Sequence, residues 1–263
     1  MVREMAEIIR SVKKKDVVTS VLHIVFNLAV AGLSLGLLLL FPDTPWAAIA
    51  LVVVSKWRVF AVKPRFWVPN ILSNLVDFVF CAGLVVLIWQ ASELLWLQIA
   101  LTAVYAAWLI LLKPLTKTLP VLLQAGLSQF IGLVALFSVA EYLTLPVTVA
   151  LAFGIGFAVA RHTLMLHEEK QYTLLALGWG AIVAELSFVA YHWLITYNIG
   201  PVVKVPEIAI IVTLLGFLVE RYYTSFRRND GQIKQSDVLM PTLFGAALLA
   251  ILLIFFSGLF GAA

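Results

Sequence analysis

The chain has 263 residues, of which 63% are hydrophobic and only 12% are charged. This composition and a mean hydropathy of +1.04 exclude an ordinary soluble domain, in which about 25% of residues are charged. The net charge of +4 and the pI near 9.2 would suggest nucleic-acid binding in a soluble protein. A membrane topology explains the basic excess, so we expect no nucleic-acid partner.

Apolar segments alternate with short polar turns along the whole chain, and most approach the roughly 20 residues that cross a bilayer. Because a backbone in lipid must satisfy its own hydrogen bonds, we expect each segment to be a helix. The sequence thus predicts an all-α, polytopic integral membrane helical bundle. It forms a single transmembrane domain, 20–260, with nine transmembrane helices at 20–41, 46–62, 69–90, 94–112, 119–140, 145–160, 172–196, 206–222 and 238–260.

When these nine segments cross the membrane alternately, the basic residues lie almost entirely on one side of it. With the N-terminus inside, all but one of the 18 Lys and Arg residues fall on the inner side, and only Lys204 falls outside. Positive charge resists translocation. The bias therefore predicts a multi-pass protein of the plasma (inner) membrane, with a cytoplasmic N-terminus and the C-terminus outside.

The first 19 residues form a basic segment before the first span. Its apolar residues, Met5, Ile8, Ile9 and Val12, recur at helical spacing beside Lys and Arg. Two interpretations stay open: a short helix on the inner membrane surface, or a solvated basic tail.

The order of the spans suggests a 4+4 parallel repeat, with half-repeats at 20–112 and 119–222 and an extra helix at 238–260. Each half begins with a hairpin whose outer turn contains a proline, Pro45 or Pro146. A helix with one acidic residue follows. Parallel repeats occur in transporters. The alternative is that two unrelated hydrophobic hairpins merely look alike.

Asp77 lies in the third predicted span. An ionised side chain at the bilayer centre costs at least about 2.5–3.5 kcal/mol, so it normally faces the bundle interior. The side chains that we expect to share an inner pocket with it are Asn70 and Asn74 of the same span, His23 and Asn27 of span one, and Gln124 and Ser128 of span five. We expect Asp77 to contact His23 or Asn27. The pocket is either functional or a set of interhelical hydrogen bonds.

Glu185 lies near the midplane of the seventh span, and His192 follows two turns later on the same face. A carboxylate and an imidazole can both change charge at accessible pH, so the pair is a candidate proton relay. The alternative is a protonated Glu185 that only forms a hydrogen bond. These two residues and the Asp77 group are the candidate proton, ion or substrate pathway.

The loop after the sixth span contains His162, His167, Glu168 and Glu169. The histidines are five residues apart, which does not fit the HExxH spacing of a zinc site. We interpret the loop as a solvated turn and expect no metal, cofactor or catalytic constellation.

These features leave three functions open. The first is a small transporter or channel-like carrier, which predicts a cavity that reaches Glu185. The second is a non-enzymatic subunit or assembly factor of a larger membrane complex, in which partner side chains seal the acids. The third is a membrane enzyme that acts on lipid. The expected partners are the lipid bilayer and either other membrane subunits or further copies of this chain.

Overall fold

The computed structural model describes residues 2–199 and 203–256. Over these residues the chain forms ten α-helices and one two-stranded β-hairpin. In chain order they are α1 (Val2–Leu40), α2 (Trp46–Ser55), α3 (Trp67–Ser73), α4 (Leu75–Gln90), α5 (Leu95–Ala107), α6 (Thr118–Ser138), α7 (Leu145–Leu166), α8 (Tyr172–His192), β1 (Thr196–Ile199), β2 (Val203–Pro206), α9 (Glu207–Arg228) and α10 (Gln235–Phe256).

Seven helices in the described part of the chain are long and apolar enough to cross a membrane, and one bent pair raises this number to eight. The prediction of a helical bundle with several helices of membrane-spanning length is confirmed, whereas the count of nine spans is not. The seven segments are Val21–Leu40, Leu95–Leu112, Thr118–Ser138, Leu145–Leu166, Tyr172–His192, Glu207–Arg228 and Gln235–Leu252.

The second and third predicted spans account for the difference. α2 has only ten residues, about 15 Å of helix, against a hydrocarbon core about 30 Å thick. Pro64–Ser73 and Leu75–Gln90 meet at an angle of 61°. The side chains of Ser73 and Asn74 both donate to the Asn70 carbonyl at this break. Such local bonds compete with the helical ladder, which explains why the predicted helix 69–90 is not continuous.

Two predicted boundaries also change. α1 continues unbroken from Val2 through the first span, so the basic N-terminal segment is helical and continuous with that span. The seventh span ends at His192 rather than at residue 196, because Thr196–Ile199 pairs with Val203–Pro206 as an antiparallel hairpin. The end of the ninth span, 257–260, lies outside the described residues. The structure does not test the parallel repeat.

Hydrogen bonds between turns define two ends of the bundle. At one end, the Trp89 indole donates to the Pro42 carbonyl at 2.7 Å, and the Tyr191 hydroxyl donates to the Leu143 carbonyl at 3.0 Å. We call this the aromatic end. Lys56, Asp77 and Lys113 meet at the opposite end, which we call the basic end. The turns thus alternate between the ends in the predicted order.

The core consists of two apolar clusters. The first joins α1, α2, α4 and α5, and the second joins α6, α7, α8, the hairpin and α9. α4 and α6 connect them through glycines: a Cβ on Gly132 would lie 2.6 Å from Val79 Cγ1, closer than real contacts allow. Small residues at helix contacts let backbones approach closely.

Candidate functional site

Asp77 lies in the first turn of α4 and is the centre of a charge cluster at the basic end. Its Oδ2 contacts the ammonium of Lys56, and that of Lys113 at 2.7 Å. Its Oδ1 accepts a hydrogen bond from the Trp108 indole at 2.9 Å and from the Cys81 thiol at 3.4 Å. The side chains of Lys56 and Asp77 are only 10% and 12% exposed. Asp77 therefore faces the bundle interior with its charge compensated.

The prediction that Asp77 contacts His23 or Asn27 is wrong. The Asn27 amide bonds His23 Nδ1 at 3.0 Å and the Leu109 carbonyl at 3.4 Å instead. The short α2 ends inside the bundle, so Lys56 reaches Asp77, and an ammonium is a stronger partner for a carboxylate than a neutral amide. A π-helical turn, Trp108–Leu112, ends the fifth helix where the indole meets Asp77.

The other amides of the expected pocket bind the main chain. Asn70 donates to the Val59 carbonyl at 3.4 Å, and Asn74 donates to the Asn70 carbonyl at 2.8 Å. Gln124 donates to the Leu112 and Leu115 carbonyls, and its oxygen lies 3.3 Å from His162 Nε2. No described hydrogen bond joins Asn70, Asn74 or Gln124 to Asp77.

Glu185 and His192 are both exposed on the outer surface of α8. No described residue forms a hydrogen bond or ion pair with the Glu185 carboxylate. The His192 ring contacts the rings of Phe188 and Tyr191, with centroids 5.1 and 5.8 Å away. The two residues share a face but do not touch each other, and the proton relay stays a prediction.

A groove with a volume of about 750 Å³ lies between α6, α7, α8 and α9. α8 packs mainly on α7, whereas α9 packs mainly on α6 and α10. This arrangement leaves α8 and α9 apart and opens the groove between them. Most of the lining is apolar, including Leu119, Leu122, Leu123, Phe130, Leu174, Leu175, Ile182 and Phe217.

Two glycines in the walls of the groove leave open space where a side chain would otherwise lie. Around Gly126 of α6 and Gly178 of α8, a Cβ atom would meet no neighbour within 4 Å. In contrast, a Cβ on Gly180 would lie 3.0 Å from the Phe153 carbonyl oxygen. The sequence shows both kinds of glycine but does not distinguish a glycine that allows a helix contact from one that leaves a space. Sequence reasoning missed the groove for this reason.

Three polar side chains line the closed part of the groove. Gln129 of α6 donates to the Val212 carbonyl at 2.8 Å and accepts from the Trp179 indole at 3.1 Å. The hydroxyl of Thr213 is buried and has no hydrogen-bond partner among the described residues. A buried hydroxyl without a partner is unfavourable.

Charged residues of α9 form the mouth of the groove at the basic end. Glu220 accepts from the Thr224 hydroxyl at 2.8 Å and lies 3.8 Å from Arg221 Nε. Its side chain is only 11% exposed, whereas that of Arg221 is 44% exposed. The accessible charge at the mouth is therefore positive.

The loop between α7 and α8, which we interpreted as a solvated turn, is bound to α9 beside this mouth. The Tyr223 hydroxyl donates to Glu169, and Arg227 donates to the His167 carbonyl at 3.2 Å. The hydrogen bond from Tyr223 and one from the Gln171 amide hold the pKa of the Glu169 carboxyl below its usual range. This carboxylate pairs within the protein instead of facing the groove.

Comparison of the chain with protein families, with curated proteins and with solved structures finds no match. A functional conclusion therefore depends on the groove, its mouth and the exposed face of α8.

Proposed function

We propose that this protein is a membrane carrier that binds a lipid-like amphiphile with an anionic head in the groove between α6, α7, α8 and α9. The supporting observation is the polarity gradient along the groove: apolar walls lead to a mouth with the exposed Arg221. The volume of about 750 Å³ is within the range of small-molecule sites.

Each part of the groove suits one part of such a molecule. Hydrocarbon chains match the leucine-rich walls, since their transfer out of water or headgroup regions is favourable. The opening between α8 and α9 gives lateral access from the bilayer. An anionic head suits the mouth because guanidinium groups bind phosphate and carboxylate oxygens with two parallel hydrogen bonds.

The test of the carrier is a binding measurement. Phosphatidylglycerol that carries a label on one acyl chain is added to the purified protein in detergent, and its binding is measured. Gly126→Phe fills the groove with an aromatic ring, so we expect binding to fall at least tenfold. Gly154→Phe is the matched control, because a Cβ atom on Gly154 would also meet nothing within 4 Å, but Gly154 does not line the groove. Equal binding by wild type and Gly126→Phe would exclude the groove as the site.

We also propose that the basic end faces the cytoplasm and that α2, with the turn after it, makes a short second crossing. The support is the one-sided distribution of Lys and Arg and the contact of both Lys56 and Lys113 with Asp77. This arrangement gives nine crossings.

Reporter fusions test this topology directly. Fusions after Lys63 and after Lys117 should report the cytoplasm, and a fusion after Tyr142 should report the opposite side. If the fusion after Lys63 reports the same side as Tyr142, α2 does not cross. If Lys117 and Tyr142 agree, the proposed threading fails altogether.

A further inference from the structure

One face of α8 carries an exposed stripe of residues, of which only Leu174 and Gly178 also line the groove. Its members are separated alternately by four and three residues, so they share one side of the helix. All are exposed: Leu174, Gly178, Ala181, Glu185, Phe188 and His192. We call this set the α8 stripe.

The carboxylate in the α8 stripe lies deep in a membrane segment. Glu185 is two turns before His192, the last residue of α8, which places it about 10 Å along the axis from that end. No described residue pairs with it, and a charged side chain that faces acyl chains is costly. This position is therefore compensated by a group from outside the chain.

The surface around Glu185 suits close contact with another helix. Ala181 and Gly178 are the residues one and two turns before it, and a Cβ atom on Gly178 would meet nothing within 4 Å. Small residues beside a polar group are typical of helix contacts in membranes, where close packing and interhelical hydrogen bonds replace the hydrophobic effect.

We propose that the α8 stripe docks a transmembrane helix of a different membrane protein, and that this helix carries a Lys or Arg at the depth of Glu185. Charge complementarity selects this occupant, because an ammonium or guanidinium neutralises the carboxylate in a dry environment. Four of the six residues of the α8 stripe lie outside the groove.

Two other occupants fit less well. A second copy of this chain has the same membrane orientation, so a two-fold contact through the α8 stripe would place Glu185 against Glu185 and His192 against His192. A lipid head with an amine lies in the headgroup layer, about two helical turns away from the carboxylate. A helix with a buried cation avoids both problems.

The test uses the full chain in membranes of the cells that naturally make it, with a photoreactive residue at Ala181. A second photoreactive variant at Leu111, which is 63% exposed on another helix, is the control. We expect an adduct from position 181 and not from 111, and we expect mass spectrometry to map it to a transmembrane segment that contains Lys or Arg.

The charge pair is then tested by reversal. Glu185→Lys should reduce the adduct at least tenfold, and exchange of the partner's cation for Glu should restore it. Glu185→Leu should also lose the adduct while it retains the thermal stability of the isolated protein, so loss of folding is separated from loss of docking. An adduct to a second copy, an adduct only to lipid, no adduct, or an adduct that survives Glu185→Lys would overturn the proposal.

Discussion

Asp77→Asn should destabilise the bundle by about 3–5 kcal/mol, the range for a buried ion pair that loses one partner. The substitution leaves the Lys56 ammonium, whose side chain is 10% exposed, beside Lys113 with no counter-charge. Asn can still accept a hydrogen bond from Trp108, so the effect isolates the charge. Thermal unfolding of the purified protein in detergent measures it.

Two variants make this result specific. Asp43→Asn changes an exposed acid in the turn after α1 and should leave the melting temperature unchanged, because exposed charges contribute little to stability. Lys56→Met added to Asp77→Asn should recover part of the loss, since only the partly exposed Lys113 then remains. A melting temperature for Asp77→Asn equal to that of wild type would show that the cluster is not required for stability.

Charge reversal at the mouth of the groove should have the largest effect on ligand binding. Arg221→Glu replaces an exposed guanidinium with a carboxylate beside Glu220. We expect phosphatidylglycerol to bind at least tenfold more weakly, which corresponds to about 1.4 kcal/mol. Phosphatidylcholine, which has no net charge, should bind equally well to both proteins.

Lys63→Glu is the matched control, because Lys63 is an exposed cation at the basic end that does not line the groove. Its reversal alters the general surface charge and should change binding by less than about twofold, since exposed charges farther apart than about 10 Å are screened by salt. Equal losses in Arg221→Glu and Lys63→Glu would mean that surface charge, and not the mouth, attracts the lipid.

Hydrophobic runs predicted most of the helices because lipid allows few alternatives. The segment predicted over 172–196 corresponds to α8, and that over 119–140 corresponds to α6. The failures occur where polar residues compete with the pattern. Lys56 ends α2 after ten residues, and Asn74 interrupts the next helix through its side chain. A hydropathy pattern contains no information about such local hydrogen bonds between side chains and the backbone.

The candidate sites depended on contacts that a sequence does not give. The pattern placed Asp77 beside other polar groups, but its partner Lys56 lies 21 residues earlier, near the inner end of the second predicted span. The sequence placed Glu185 in the segment that forms α8, but that helix carries apolar residues on all of its faces, so no amphipathic pattern indicated which face is exposed. The groove arises from the separation of α8 and α9, and only the packing of four helices shows it.

The proposal that the groove carries an anionic amphiphile has a direct test in the movement of labelled phosphatidylglycerol between leaflets of proteoliposomes. A fluorescent label on the headgroup and a membrane-impermeant quencher measure the fraction in the outer leaflet over time. We expect faster exchange with wild-type protein than in protein-free vesicles, and a return to the protein-free rate with Gly126→Phe but not with Gly154→Phe. Exchange that is no faster with wild-type protein than without it would show that the groove does not carry this lipid.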